Sequence, residues 1–125
     1  MPQEQSKLGK IQWVDLTVPD APRVRNFYKA VVGWEPSGVD MGGYEDVNMT
    51  PPGSDKPAAG ICHARGVNAH IPAQWMIYVL VKDLDASLAQ VEQLGGKVLH
   101  RHSHGHGLIQ DPAGAVMMIY EEKKG

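Results

Sequence analysis

The sequence predicts an α+β domain built from two tandem copies of one unit, each running strand, helix, strand, strand, strand. Two observations lead to this prediction. A strand pattern followed by a helix pattern occurs twice with a constant offset of 63 residues, and each copy ends in a hairpin whose turn contains Pro and Gly. With 125 residues, the chain is long enough to bury the core of one domain.

The first strand and helix of copy one occupy residues 11–34. Apolar residues alternate with others from Val14 to Val18, which is typical of a half-buried strand. Asp20 follows as the predicted N-cap of a helix, because its carboxylate can accept a hydrogen bond from a backbone N–H of the first turn. Apolar residues then recur at helical spacing, and Gly33 is the predicted end of the helix.

The second copy repeats this pattern over residues 76–96. Apolar residues alternate from Ile77 to Val81, Asp83 is the predicted N-cap, and the glycine pair at 95–96 ends the helix. Adding 63 to the number of each key residue of the first copy gives its counterpart here. The equal spacing of strand, cap and helix end indicates a duplicated structural unit.

The remainder of each copy is predicted to be rich in strands. The turns TPPG at 50–53 and DPAG at 111–114 contain residues that favour tight turns. Strands flank them at 44–49, 59–64, 107–110 and 116–120. Two copies give eight strands and two helices. Residues 1–10 are predicted to be a flexible arm, and residues 11–125 a single domain with module one at about 11–66 and module two at about 74–121.

Composition narrows the classes of partner. A formal net charge of −2 does not favour nucleic acid or an anionic membrane surface, because both attract strongly basic proteins. The apolar run Met76–Val81 is far too short to span a membrane. The single cysteine, Cys62, excludes an internal disulfide and suits a reducing compartment, so we expect a cytoplasmic protein in which Cys62 is a small buried residue.

Four segments resemble the vicinal oxygen chelate superfamily, the group of glyoxalases, bleomycin-resistance proteins and extradiol dioxygenases. They are VDLTVPDAPRVRNFYKAVVGW, the GI of AAGIC, YVLVKDLDASLAQVEQLGGKV and QDPAGAVMMIYE. The start and the first helix are also similar to the subgroup called hydroxylase-like. The resemblance implies paired βαβββ modules whose mixed sheet curls around a cavity. It further implies a cytosolic homodimer and, in many members, a divalent metal that chelates two oxygens of the substrate.

The resemblance places metal ligands at defined positions of this chain. One ligand lies seven residues before each capping aspartate, which gives Trp13 and Met76. Another, usually Glu, lies seven residues after Asp111 and gives Met118. Since these side chains are apolar, no metal or other cofactor is expected at the usual positions.

The first functional hypothesis is therefore a binding protein without metal, like the resistance proteins of the group. It takes a small organic molecule into an apolar cavity, with Asp15 as the main polar anchor. The cavity residues predicted from the resemblance and the strand alternation are Trp13, Asp15, Met76, Tyr78, Met118 and Tyr120.

Two enzymatic alternatives stay open. The first is a metal-dependent lyase, isomerase or dioxygenase whose Zn, Fe, Mn or Ni is held by shifted ligands, namely Asp15, His63 and a histidine such as His102 or His104. The second is an acid/base enzyme without metal, in which Asp15 is the base and Tyr78 the acid. As a structural interpretation, His63 is a surface residue on an edge strand.

The stretch HRHSHGHG at residues 100–107 carries four alternating histidines. An extended backbone would place all four on one face. They are interpreted, in order of preference, as a solvated loop, a rim of the cavity, or a site that binds metal through imidazole nitrogens. Gly105 and Gly107 favour the loop.

Overall fold

The computed structural model describes residues 7–102 and 105–122 and confirms the predicted α+β class. Within these residues, each half runs strand, helix, strand, strand, strand. The elements are β1 (Ile11–Val18), α1 (Ala21–Val32), β2 (Glu35–Asp40), β3 (Glu45–Thr50), β4 (Ala59–His63), β5 (Trp75–Leu80), α2 (Leu84–Gln93), β6 (Lys97–His102), β7 (His106–Gln110) and β8 (Val116–Tyr120). Neither helix is long and apolar enough to cross a membrane.

Contacts divide the chain into two compact units, which we describe separately. Unit A is residues 14–75. Unit B is the described part of residues 1–13 and 76–125, so it includes the first three residues of β1.

Four neighbouring strands in unit A follow the order β2-β3-β4-β1. The pair β1 and β4 is parallel, whereas β2 with β3 and β3 with β4 are antiparallel, so the pairing is mixed. One face packs against α1 in a core whose buried members are Leu16, Val18, Ala21, Val47, Met49 and Ile61. Burial of this apolar face stabilises the unit because it removes nonpolar surface from water.

Helix α1 begins and ends where the sequence predicts. The carboxylate of Asp20 accepts a hydrogen bond from the backbone N–H of Arg23 at 3.2 Å. Gly33 terminates the helix with a φ of 86°, a left-handed conformation that favours glycine, and its N–H donates to the carbonyl of Lys29.

In unit B, neighbouring strands follow the order β5-β8-β7-β6. Strands β5 and β8 are parallel, and the other two pairs are antiparallel. One face packs against α2 in a core made of Leu84, Leu88 and Ile119, with Val81, Val98, Ile109 and Met117 packed around them.

Two carboxylates cap the N-terminus of α2. Asp83 accepts from the N–H of Ala86 at 3.1 Å, as the sequence predicts. Glu121 follows β8 and accepts from the N–H of Leu84 at 2.6 Å. Glu121 therefore points toward α2, on the opposite side of β8 from Met118, which agrees with strand alternation.

The described histidines of the histidine-rich stretch lie in strands, and for them the interpretation as a solvated loop is wrong. His100 and His102 belong to β6, whereas His106 and Gly107 belong to β7. His102 lies directly opposite His106 in the strand pairing. The backbone of both segments is extended because its N–H and C=O groups pair within the sheet.

Candidate functional site

The face of unit B opposite α2 carries four of the six predicted cavity residues, namely Met76, Tyr78, Met118 and Tyr120. Tyr78 pairs with Met118, and Met118 pairs in turn with Leu108. Cross-strand partners share a face of the sheet. Met76, Leu108 and Met118 are buried, with exposed fractions of 2%, 1% and 3%, and form an apolar floor.

Aromatic rings border this floor. The imidazole of His106 stacks on Tyr120 with ring centroids 5.3 Å apart and an interplanar angle of 14°. Tyr78 meets His106 edge-on at 6.0 Å. All three residues are partly exposed. We call Tyr78, His106 and Tyr120 the aromatic cluster; its ring faces and edges suit contact with another planar ring.

Burial raises the pKa of Tyr120, and the negative charge of Glu122 raises it further. Both effects disfavour the phenolate. The Tyr120 hydroxyl therefore stays protonated at neutral pH and keeps an O–H donor beside the apolar floor.

The other predicted cavity residue of unit B, Trp13, lies half-buried in β1.

The three positions at which the family resemblance places metal ligands carry apolar side chains. They are the indole of Trp13 and the buried thioethers of Met76 and Met118. Hard divalent ions prefer carboxylate, carbonyl or imidazole ligands. This set of side chains does not fit such an ion.

In unit A, polar side chains lie on the sheet face opposite the α1 core. Asp15 pairs with Gly60, and Thr17 pairs with Cys62. Desolvation raises the pKa of the Cys62 thiol, and the charges of Asp15 and Asp46, with a hydrogen bond to Asp46, raise it further. The thiol therefore stays protonated and donates to the Asp46 carboxylate; Cys62 is half-buried among acidic groups.

Asp46 also holds His63, a contact that sequence reasoning missed. Its Oδ1 accepts from the backbone N–H of His63 at 2.9 Å and lies 3.2 Å from the ring Nδ1. Tyr44 meets the His63 ring edge-on at 5.4 Å, and the Arg65 guanidinium lies 4.0 Å from the centre of the Tyr44 ring. Alternation of Asp46 with the apolar Val47 was the available indication that this carboxylate lies on the polar face.

The interpretation of His63 as a surface residue on an edge strand is wrong. Strand β4 lies between β3 and β1, and the His63 side chain is 22% exposed. Because Nδ1 faces a carboxylate, the proton belongs on Nδ1 and Nε2 is left as the acceptor. An aspartate-oriented imidazole of this kind can accept a proton from a bound molecule.

The proposed shifted metal ligands are not brought together within unit A. Asp15 lies opposite Gly60, whereas His63 lies opposite Val18, three residues farther along β1. Three residues of strand span about 10 Å. One ion cannot bridge that distance with bonds of about 2 Å. Of the other predicted ligands, His102 belongs to unit B and His104 lies outside the described residues.

Each unit also has a surface cleft beside its helix. A cleft of about 400 Å³ in unit A is bordered by α1 and residues 73–75. A second cleft, of about 300 Å³, lies between α2 and the turn after β7 in unit B. Neither contains a predicted cavity residue.

A family model described as glyoxalase-like domain matches residues 13–120. The chain belongs to this glyoxalase-like family. The match covers both βαβββ copies, and with the structural likenesses below it confirms the resemblance to the vicinal oxygen chelate superfamily.

Curated relatives of the glyoxalase-like chain are longer proteins. It is 27% identical over 121 residues to the anthracycline biosynthesis protein DnrV of Streptomyces peucetius, covering 94% of this chain and 43% of the relative. It is 26% identical over 131 residues to the putative glyoxylase CFP32 of Mycobacterium bovis, covering 93% and 47%. The chain thus spans less than half the length of these relatives.

Solved structures share the glyoxalase-like fold. Methylmalonyl-CoA epimerase from Mycobacterium tuberculosis matches with a TM-score of 0.52 and 19% identity, over 93% of this chain and 89% of that one. The Mn(II)-bound glyoxalase from Novosphingobium aromaticivorans matches with a TM-score of 0.54 and 20% identity, over 92% and 39%. At these identities the likeness shows the fold alone.

Proposed function

We propose that this glyoxalase-like chain binds a small planar organic molecule on the aromatic cluster of unit B. The observation that carries the proposal is the stack of His106 on Tyr120 beside Tyr78, at the border of a buried apolar floor. Partly exposed rings offer a ligand stacking surface, and the Tyr120 hydroxyl offers a hydrogen-bond donor.

The proposal does not use a metal at the family positions. Met76 and Met118 are thioethers in a dry floor, and Trp13 adds an indole. Binding energy then comes from ring contact and burial of apolar area. The alternative, a metal-dependent lyase, isomerase or dioxygenase, predicts that the ligand binds poorly to protein stripped of metal.

We further propose that the ligand belongs to the class of polycyclic aromatic compounds. Two relatives carry the name anthracycline biosynthesis protein, and one of them aligns with 94% of this chain. A flat fused-ring system matches the stacking geometry of the aromatic cluster.

The test is a fluorescence titration of the chelator-treated protein with a commercial anthracycline. We expect saturable binding that weakens at least about tenfold in Tyr120→Ala, because stacking contacts contribute about 1–3 kcal/mol per ring. Phe27→Ala is the matched control, since Phe27 is a solvent-exposed ring of α1 in unit A. Equal affinity of wild type and Tyr120→Ala for the anthracycline would rule out the aromatic cluster as the binding site.

The Asp46–His63 pair favours a second function, acid/base chemistry without metal. In this second function, His63 Nε2 is the base and Asp46 orients the imidazole ring. These residues replace the base Asp15 and the acid Tyr78 of the hypothesis drawn from the sequence. Aspartate orientation of an imidazole fixes the tautomer and stabilises the imidazolium that forms when a proton is accepted.

Nitrogen-15 NMR of the histidine rings tests this second function. We expect His63 to be in the Nδ1–H tautomer, and Asp46→Asn to shift its population toward the other tautomer. Asp55→Asn, in an exposed loop, is the control. A His63 ring already in the Nε2–H form would leave Nε2 unable to accept a proton and would exclude it as a base.

We also propose a cytoplasmic homodimer that interacts with neither nucleic acid nor membranes. The net charge of −2 supports the absence of binding to nucleic acid and to anionic membranes. The family resemblance supports the dimer.

A further inference from the structure

We propose that His100 and His102 form a two-histidine site for a divalent transition metal ion, separate from the metal positions implied by the family resemblance. Both residues belong to β6 of unit B. Their ring centroids are 4.3 Å apart, and they offer ligating nitrogens within 4.8 Å of each other. The site requires no residue of the usual metal set.

A β-bulge determines which face of the sheet these two histidines occupy. Val98 pairs with Ile109 and packs in the α2 core, so uninterrupted alternation would turn His100 toward α2 as well. The register shifts between Val98 and His100, and His100 pairs instead with Leu108 of the opposite face. One extra residue in a strand reverses the direction of every side chain that follows.

The same shift turns Arg101 toward α2. Arg101 pairs with Gly107, whose position faces the helix, and its guanidinium forms an ion pair with Asp85 of α2. The residue between the two histidines is therefore tied to the helix, and His100 and His102 both project from the other face. A strand held in this way presents its i and i+2 imidazoles side by side.

The geometry of the pair suits chelation. Zinc–imidazole bonds of about 2.0–2.1 Å in a tetrahedral site place two nitrogens about 3.3 Å apart. Rotation about the side-chain torsions brings nitrogens that already lie within 4.8 Å to that separation. Imidazole suits Zn²⁺, Ni²⁺ and Cu²⁺, with Cu²⁺ bound most tightly for the same ligands. The other coordination positions take water or an added ligand.

The test uses full-length protein without a histidine tag, freed of metal by a chelator. Equilibrium dialysis against Zn²⁺, Ni²⁺ or Cu²⁺ with elemental analysis should give one ion per chain. We expect His100→Asn and His102→Asn each to weaken binding at least about tenfold, since loss of a residue that only supports a ligand already costs that much. His63→Asn is the matched control, and circular dichroism checks that each variant is folded.

Electron paramagnetic resonance of the Cu²⁺ form provides a second measurement. Splitting from two equivalent imidazole nitrogens is expected in wild type and from one in either single variant. Unchanged affinity and spectra in both variants would overturn the proposal, as would absence of binding to the wild type. Binding that is lost in His63→Asn instead would assign the metal to unit A and also overturn it. Anthracycline binding is measured in chelator, so its outcome is independent.

Discussion

At the residue scale, Asp46 is the side chain that organises unit A. One carboxylate oxygen receives the His63 backbone N–H and faces the His63 ring, and the Cys62 thiol donates to the same side chain. Asp46 is buried, with an exposed fraction of 9%. A buried carboxylate needs such donors, because an unsatisfied charge in a low-dielectric site is costly.

Cys62 leads to a prediction about pH. Its folded pKa lies above the ordinary value of 9.0 because of desolvation and then the charges of Asp15 and Asp46. Above about pH 9 the thiol ionises in the unfolded chain but stays neutral in the folded chain. The thiol therefore favours folding fully below that pH, and its contribution to the free energy of unfolding is lost as the pH rises. We expect wild type to lose about 1 kcal/mol more than Cys62→Ala between pH 9 and pH 10.

Urea denaturation at pH 8, 9 and 10 under reducing conditions measures this difference. Comparing the two proteins at each pH cancels the titration of lysines and tyrosines common to both. Parallel stability profiles would show that the thiol ionises as easily in the folded as in the unfolded chain.

At the element scale, α2 depends on a cap that is distant in sequence. The Glu121 carboxylate receives the N–H of Leu84 at 2.6 Å, where the helix dipole favours negative charge. We expect Glu121→Ala to lower the free energy of unfolding by about 1.5 kcal/mol, and Glu121→Gln to lower it less because the amide oxygen still accepts.

The neighbouring Glu122 is exposed and serves as the control in chemical denaturation. Glu122→Ala should change the free energy of unfolding by less than about 0.5 kcal/mol. If Glu121→Ala and Glu122→Ala are equally stable, the contact to Leu84 contributes nothing.

Two glycines of unit B differ in what surrounds them. A Cβ at Gly96 would lie 2.6 Å from the backbone carbonyl oxygen of Gln110, whereas a Cβ at Gly107 would lie 3.0 Å from Cδ2 of Leu88. A leucine end can turn away, but a carbonyl in the sheet cannot move without loss of pairing. We expect Gly96→Ala to cost about 3 kcal/mol and Gly107→Ala about 1 kcal/mol.

Thermal and urea denaturation of the two variants checks the order. Because alanine is the new residue in both, the comparison is matched in volume and polarity. A larger loss in Gly107→Ala would mean that the packing of α2 on β7 is tighter than the structure indicates.

At the scale of the whole molecule, surface left uncovered supports a dimer. Strands β2 and β6 each have one strand neighbour among the described residues. Phe27 and Val31, one turn apart on α1, are 56% and 64% exposed. Open edges and apolar surface are commonly covered by a second copy.

We therefore expect light scattering after size exclusion to give twice the mass of one chain at micromolar concentration. Val31→Asp places a charge in the exposed apolar pair of α1 and should shift the distribution toward monomer if that surface is the interface. A monomer mass for wild type at all concentrations would contradict the prediction.

The sequence could predict much of this protein because its repeat is local. Asp20 and Asp83 cap helices as predicted, since a cap is decided within four residues. The order of strands and helices follows from periodicity and turn residues in the same way. Alternation along β8 also gave the opposite directions of Met118 and Glu121.

Tertiary structure alone decided the contacts of the candidate sites. The Asp46–His63 pair joins residues 17 positions apart through the pairing of β3 with β4, which no local pattern encodes. The bulge in β6 has a similar origin, because a shift in register is defined only relative to β7. The bulge places His100 and His102 on the sheet face opposite α2. Local chemistry thus determined the elements, and cross-strand register determined which side chains meet.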